Sequence, residues 1–156
     1  MMCWCARSKP VRAYCQRVSK VNSDIGCEDT VMAIINFENG AVGNLELSWA
    51  LPQNSALGIN TYAEVVGVEG AAYVNIIMDQ GVSLITKDEV IYPDTLNWPE
   101  YNGSILGNLK EEIHHFITAT QKGLPYIVDT ENAITAVKVI EACFKSIETG
   151  LPVDIS

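Results

Sequence analysis

The residues best suited to metal or nucleophilic chemistry are two histidines, His114 and His115, and five cysteines, Cys3, Cys5, Cys15, Cys27 and Cys143. Adjacent helical residues diverge by about 100°, so His114 and His115 cannot ligate one metal ion together. The order Glu111-Glu112-Ile113-His114-His115 is not the H-E-x-x-H pattern, and no second ligand pair accompanies it. These residues read as a solvated helix shoulder, from which one histidine can still reach a cleft. Cys3 and Cys5 form a C-x-C without a partner motif downstream. An odd number of cysteines with no framework spacing fits ordinary thiols in a reducing compartment. No Ser, Cys or Thr stands in a nucleophile-elbow context. Asp24, Glu28 and Asp29 read as solvated loop charges, and Trp4, Trp49 and Trp98 as core or interface. Neither a catalytic residue nor a metal site is expected.

The glycines carry a further exclusion. No two of the 11 are separated by a single residue, so G-x-G-x-x-G does not occur, nor does G-x-x-x-x-G-K-[ST]. A dinucleotide pyrophosphate is normally cradled by such a loop at a helix N-terminus. No cofactor is expected to be bound by this chain. The balance of 19 acids against 10 bases, net charge −9, argues against nucleic-acid backbones and anionic membrane surfaces. No apolar run is long enough to span a bilayer, and Met1-Met2-Cys3-Trp4-Cys5-Ala6-Arg7 does not have the form of a signal peptide. A cytoplasmic protein is expected.

The 156 residues, 48% hydrophobic and 19% charged, suffice for one cored domain over 1–156. The first half reads as strands: Val11 to Val18, Thr30 to Phe37 and Ala41 to Trp49. Glu38-Asn39-Gly40 joins the last two as a hairpin, with positive φ expected at both Asn39 and Gly40. Leu45, Leu47 and Trp49 share one face of their strand, and Asn44, Glu46 and Ser48 the other. Thr61 to Val66 and Ala71 to Ile77 read as a second pair, and Val82 to Thr86 with Glu89 to Tyr92 as short strands. Pro93 to Gly103 reads as irregular.

The second half reads as two helices. Leu106, Leu109, Ile113, Phe116 and Ile117 recur at helical spacing, and Gly123 with Pro125 ends that stretch. A second helix is capped near Asp129-Thr130, carries the stripe Ile134, Val137, Ile140, Phe144 and Ile147, and stops at Gly150. Val153 to Ile155 follows as a final strand. Strands first and helices last give an α+β fold, a mostly antiparallel open sheet with two long helices packed on one face. The other face must then be solvated or covered by a partner.

Several stretches resemble the Gfo/Idh/MocA oxidoreductases (glucose-fructose oxidoreductase and inositol dehydrogenase-like proteins). Glu28-Asp29-Thr30 through Phe37-Glu38-Asn39-Gly40-Ala41-Val42-Gly43 resembles the family's E-D…F-x-N-G-A-x-G hairpin. Leu47-Ser48-Trp49-Ala50-Leu51-Pro52 continues it. Glu64-Val65-Val66-Gly67-Val68-Glu69-Gly70 resembles a strand turn of the family, and Leu109 to Phe116 the L-x-x-E-I-x-H-F start of its long helix. Ala142 to Val153 resembles the ending A-x-x-x-S-x-E-x-G-x-P-V.

The resemblance implies a C-terminal domain of an NAD(P)-dependent oxidoreductase, without the N-terminal Rossmann domain that binds NAD or NADP. Residues 1–8 would then be the tail of a preceding helix. The E-K-P lysine and the catalytic Asp/His helix of the family have no counterpart, so the chain alone is expected to be inert. The implied role is substrate binding and oligomerisation through the helix-free sheet face, for a sugar, polyol or related hydroxyl compound. Candidate substrate contacts are Trp49 and Asn60 after the hairpin strand, Trp98, Tyr101 and Asn102 before the long helix, and His115. A free-standing dimerisation module and a carbohydrate-binding module are the alternatives.

Overall fold

A computed structural model describes residues 1–52, 61–75, 82–95 and 97–156. The chain divides into two compact units, Met1–Pro52 with Val128–Ser156, and Gln53–Ile127.

The first unit is a four-stranded antiparallel sheet under two helices. Its strands are β1 (Pro10–Val18), β2 (Thr30–Phe37), β3 (Val42–Ser48) and β10 (Val153–Asp154), in the order β10-β1-β2-β3. Register pairs Ala13 with Ile35 and Cys15 with Ala33 across β1 and β2, and Ile35 with Gly43 and Ala33 with Leu45 across β2 and β3. Period-two alternation therefore puts Ala13, Cys15, Ala33, Ile35 and Phe37 on one face. All five are buried, together with Ala142 of the long helix α3 (Thr130–Thr149). The short helix α1 (Met2–Ala6) adds Met2, Cys3 and Ala6 to the same core. Gly43 leaves room for it, since a β-carbon there would run into the Met2 methyl group.

The α3 surface on the sheet differs from the expected stripe. Val139, Ala142, Cys143, Ser146 and Ile147 pack toward the core, whereas Ile134, Val137, Ile140 and Phe144 are each at least half exposed. Ala142, Cys143 and Ser146 are small and let the helix approach β1 closely, which bulkier side chains would prevent. Leu45 and Leu47 lie on the core side by register, yet remain exposed at the edge strand.

The β2–β3 connection is a three-residue loop over 38–40. Gly40 N–H donates to the Phe37 carbonyl at 3.0 Å. Gly40 alone takes positive φ (86°), so the turn is a type I turn closed by a left-handed glycine. Asn39 contributes differently from the expected positive φ. Its side chain accepts from Ala41 N–H at 3.1 Å and donates to the Ala6 carbonyl at 3.0 Å.

Among the described residues, the second unit contains three antiparallel strand pairs and a helix. The pairs are β4 (Tyr62–Gly67) with β5 (Gly70–Asn75), β6 (Leu84–Ile85) with β7 (Val90–Ile91), and β8 (Glu100–Tyr101) with β9 (Ser104–Ile105). The expected extension of β5 over Ile76 and Ile77 lies outside the described residues. The β8–β9 hairpin falls where sequence reading gave irregular chain. It turns on Asn102 and Gly103, both at positive φ (49° and 74°), the pair a tight two-residue hairpin requires. Helix α2 (Asn108–Lys122) follows and ends on Gly123 at φ 64°, whose N–H donates to the Ala119 carbonyl.

Together these elements form an α+β fold with mostly antiparallel strands and two long helices. No helix among the described residues is long and apolar enough to cross a membrane.

Candidate functional site

Trp49 stands immediately after β3 and is 85% exposed. Its main-chain N–H donates to the Asp29 carbonyl at 2.8 Å, one rung beyond the Thr30–Ser48 pair that ends the β2–β3 ladder. The indole is thus presented to solvent from a fixed backbone.

Trp98, Tyr101 and Asn102 share a short segment of the second unit. Asp94 organises its start, accepting from Asn97 N–H at 2.9 Å and Trp98 N–H at 2.8 Å. Leu106 N–H donates to the Pro99 carbonyl at 2.9 Å and closes the hairpin base. Tyr101, in β8, is 69% exposed and Trp98 51%. Asn102 occupies the turn itself, so its backbone has a structural task besides any contact its side chain makes. Asn60 lies outside the described residues.

His115 is half-buried on α2, and His114 is exposed. The Nε2 of His115 accepts the main-chain N–H of Ile127 at 3.2 Å. A neutral imidazole that accepts at Nε2 carries its proton on Nδ1. Nearby, Phe116 stacks on Tyr126 with ring centroids 5.5 Å apart, and the Thr120 and Tyr126 hydroxyls lie 3.0 Å apart. The helix and the following segment are therefore held together around His115.

The loop acids depart from the sequence reading. Asp29 is 2% exposed rather than solvated. Its carboxylate accepts the main-chain N–H groups of Lys20, Val21 and Asn22. Hydrogen bonds from Lys20 and Val21 hold this carboxyl below the ordinary aspartate range. Glu28 pairs with Arg17 at 2.6 Å, which lowers its carboxyl too. Only Asp24 remains as an exposed acid in the first turn of a short 3-10 helix, Ser23–Ile25. Main-chain partners leave no trace in side-chain patterning, so the sequence signal was limited to an Asp between a polar loop and a strand.

All five cysteines are free thiols. Cys15 and Cys143 interact across the β1–α3 interface. Burial, then the neighbouring Cys15 thiol, pushes Cys143 up to about 11. Among the described residues, no three His, Cys, Asp or Glu side chains assemble as a metal site.

The helix N-termini do not fit a dinucleotide pyrophosphate. Asp129 closes the start of α3 by accepting Asn132 N–H at 2.7 Å, so an incoming anion would meet a carboxylate already in place. The first turn of α2 carries Glu111. Both arrangements oppose the attraction a helix dipole offers to phosphate.

The first unit is thus an antiparallel, helix-backed sheet with Trp49 exposed at its edge, and the second carries Trp98 and Tyr101 exposed. Residues 5–155 match the model of the oxidoreductase family's C-terminal alpha/beta domain, and the chain belongs to this Gfo/Idh/MocA family. It is 26% identical over 130 residues to the scyllo-inositol 2-dehydrogenase (NAD(+)) of Bacillus subtilis (strain 168), covering 83% of this chain and 36% of that protein. Its fold is similar to that of myo-inositol 2-dehydrogenase from Lactobacillus plantarum. There the TM-score is 0.71 at 21% identity, over 99% of this chain and 45% of that one. Scyllo-inositol dehydrogenase from Lactobacillus casei, solved with NAD(H) and scyllo-inositol, gives a TM-score of 0.70 at 14% identity, over 99% and 44%. The chain thus spans about a third of the curated relative's length and less than half of each solved structure.

Proposed function

We propose that residues 1–156 act as one substrate-binding and oligomerisation domain of an NAD-dependent oxidoreductase, with a sugar, polyol or cyclitol as substrate and 1–8 as the tail of a preceding helix. The observation that carries this is the family match over 5–155 set against coverage of only 36% of an NAD(+)-dependent relative. NAD supplies a hydride acceptor in such enzymes, and the residues described here do not fit it. The contribution of this chain is binding and orientation, which matter because hydride and proton transfer both require a clamped substrate.

Each unit by itself carries exposed aromatics suited to the C–H side of a ring, Trp49 in the first and Trp98 and Tyr101 in the second. Within the second unit, the Asn102 and His115 side chains can hydrogen-bond hydroxyls of such a substrate. The sheet face opposite α3 carries Met32 and Ile34, 52% and 46% exposed, beside Tyr14, Gln16, Asn44 and Glu46. A mixed apolar and polar surface of this kind suits a symmetric pairing of two copies.

Reading the source DNA upstream of Met1 tests the proposal. An open frame encoding a strand, a G-x-G-x-x-G and an E-K-P is the expected result. A stop codon followed by a start signal would overturn the multidomain reading. Incubation of this chain with NAD(+) or NADP(+) and polyols is expected to form no reduced nicotinamide, and appreciable turnover would contradict it.

A further inference from the structure

We propose that Asp29 is a positioning residue for Trp49, because it ties the β1–β2 loop and the end of β3 into one unit. This rests on the reading of Trp49 as a substrate contact; the coupling itself does not.

The argument is a full account of one residue's polar atoms. Asp29 N–H donates to the Val18 carbonyl at 2.8 Å, holding it to the end of β1. Its carbonyl accepts Trp49 N–H at 2.8 Å and the Ser48 hydroxyl at 3.2 Å, extending the β2–β3 ladder. Its carboxylate accepts Val21 N–H and Asn22 N–H, each at 2.7 Å, as well as Lys20 N–H. Every donor and acceptor of a residue that is 2% exposed is therefore engaged, and the partners lie on three different segments.

The carboxylate is what makes this a hub rather than two ordinary ladder ends. Three successive amides pointing at one oxygen pair need a concentrated negative charge, and charge-assisted bonds of this type are about twice as strong as neutral ones. Ser48 extends the hub outward. Its hydroxyl accepts Ala50 N–H at 3.3 Å and lies 2.9 Å from the Thr30 hydroxyl. The chain on both sides of Trp49 is consequently referred back to Asp29. Trp49 makes its side chain available while its backbone is held, which is what orienting a stacking platform demands.

Asp29→Asn keeps the shape but removes the charge and turns an NH₂ toward the loop amides. Hydrogen exchange of the full chain, resolved by residue, reads the consequence. The amides of Lys20, Val21, Asn22 and Trp49 are expected to exchange faster together, by about tenfold or more, while Ala33 and Gly150 keep their protection. Faster exchange of the loop amides with Trp49 unchanged would overturn the proposal, as would equal acceleration at every amide. If Asp29→Asn does not fold, the wild-type chain decides the matter in low denaturant. One shared opening for the four amides supports the hub, and separate openings refute it. Trp49→Ala separates the two readings: unchanged polyol binding in that variant removes the substrate role and leaves the coupling standing.

Discussion

The main-chain N–H of Cys15 donates to Ser146 Oγ at 2.9 Å, and that hydroxyl donates onward to the Leu151 carbonyl at 2.7 Å. One fully buried hydroxyl therefore links β1, α3 and the turn into β10. Ser146→Ala leaves a buried N–H and a carbonyl without this partner, and an unsatisfied buried group costs about 1–3 kcal/mol. Denaturant unfolding is expected to show a loss in that range without a change in fold by circular dichroism.

A second stability prediction concerns the start of α3. Asp129 Oδ1 accepts Asn132 N–H at 2.7 Å in N-cap geometry. Asp129→Ala is expected to cost about 1 kcal/mol, and Asp129→Asn considerably less, because the amide oxygen still caps. Thermal unfolding of the two variants measures the difference.

Acid sensitivity follows from Asp29. Its three amide donors stabilise the carboxylate, so its native pKa lies below the ordinary value of 3.8. A depressed native pKa means the group stabilises the fold above its unfolded pKa. That contribution is lost as pH falls through the native value. Unfolding midpoints are expected to be insensitive to this group above about pH 5 and to fall below about pH 4. Asp29→Asn is expected to flatten that acid limb.

The cysteines should separate by reactivity. Cys27 is exposed, Cys15 is buried, and the Cys143 thiol sits at about 11. Because only the thiolate alkylates, iodoacetamide at neutral pH is expected to label Cys27 before either Cys15 or Cys143. Peptide mass mapping over a time course reads the order.

Much of this architecture was legible in the sequence, for physical reasons that vary by element. The Val- and Ile-rich run from Thr30 to Phe37 matches β2 at both ends. Gly123 and Gly150 mark both long-helix C-termini because each takes the left-handed conformation a helix stop needs. Three features were not legible. The β8–β9 strands have two residues each, too short for alternation to register, and the stretch reads as irregular although Asn-Gly is a dipeptide that tight hairpin turns favour. The packed face of α3 uses Ala142, Cys143 and Ser146, whose small size matters for close approach yet scores weakly as hydrophobic. Asp29 resembled any loop acid because its partners are backbone amides. Of the candidate residues, Trp49, Trp98 and Tyr101 are exposed, while His115 and Asn102 carry local structural tasks.

The sheet face opposite α3 bears the central claim, that this domain pairs with a second copy while contributing substrate contacts. Sedimentation equilibrium of the wild-type chain beside Ile34→Glu, a charge placed in the middle of that face, tests it most directly. The expected result is twice the chain mass or a higher multiple for the wild type, and a shift toward the single-chain mass for the variant. A wild-type chain that stays monomeric at high concentration would contradict the account.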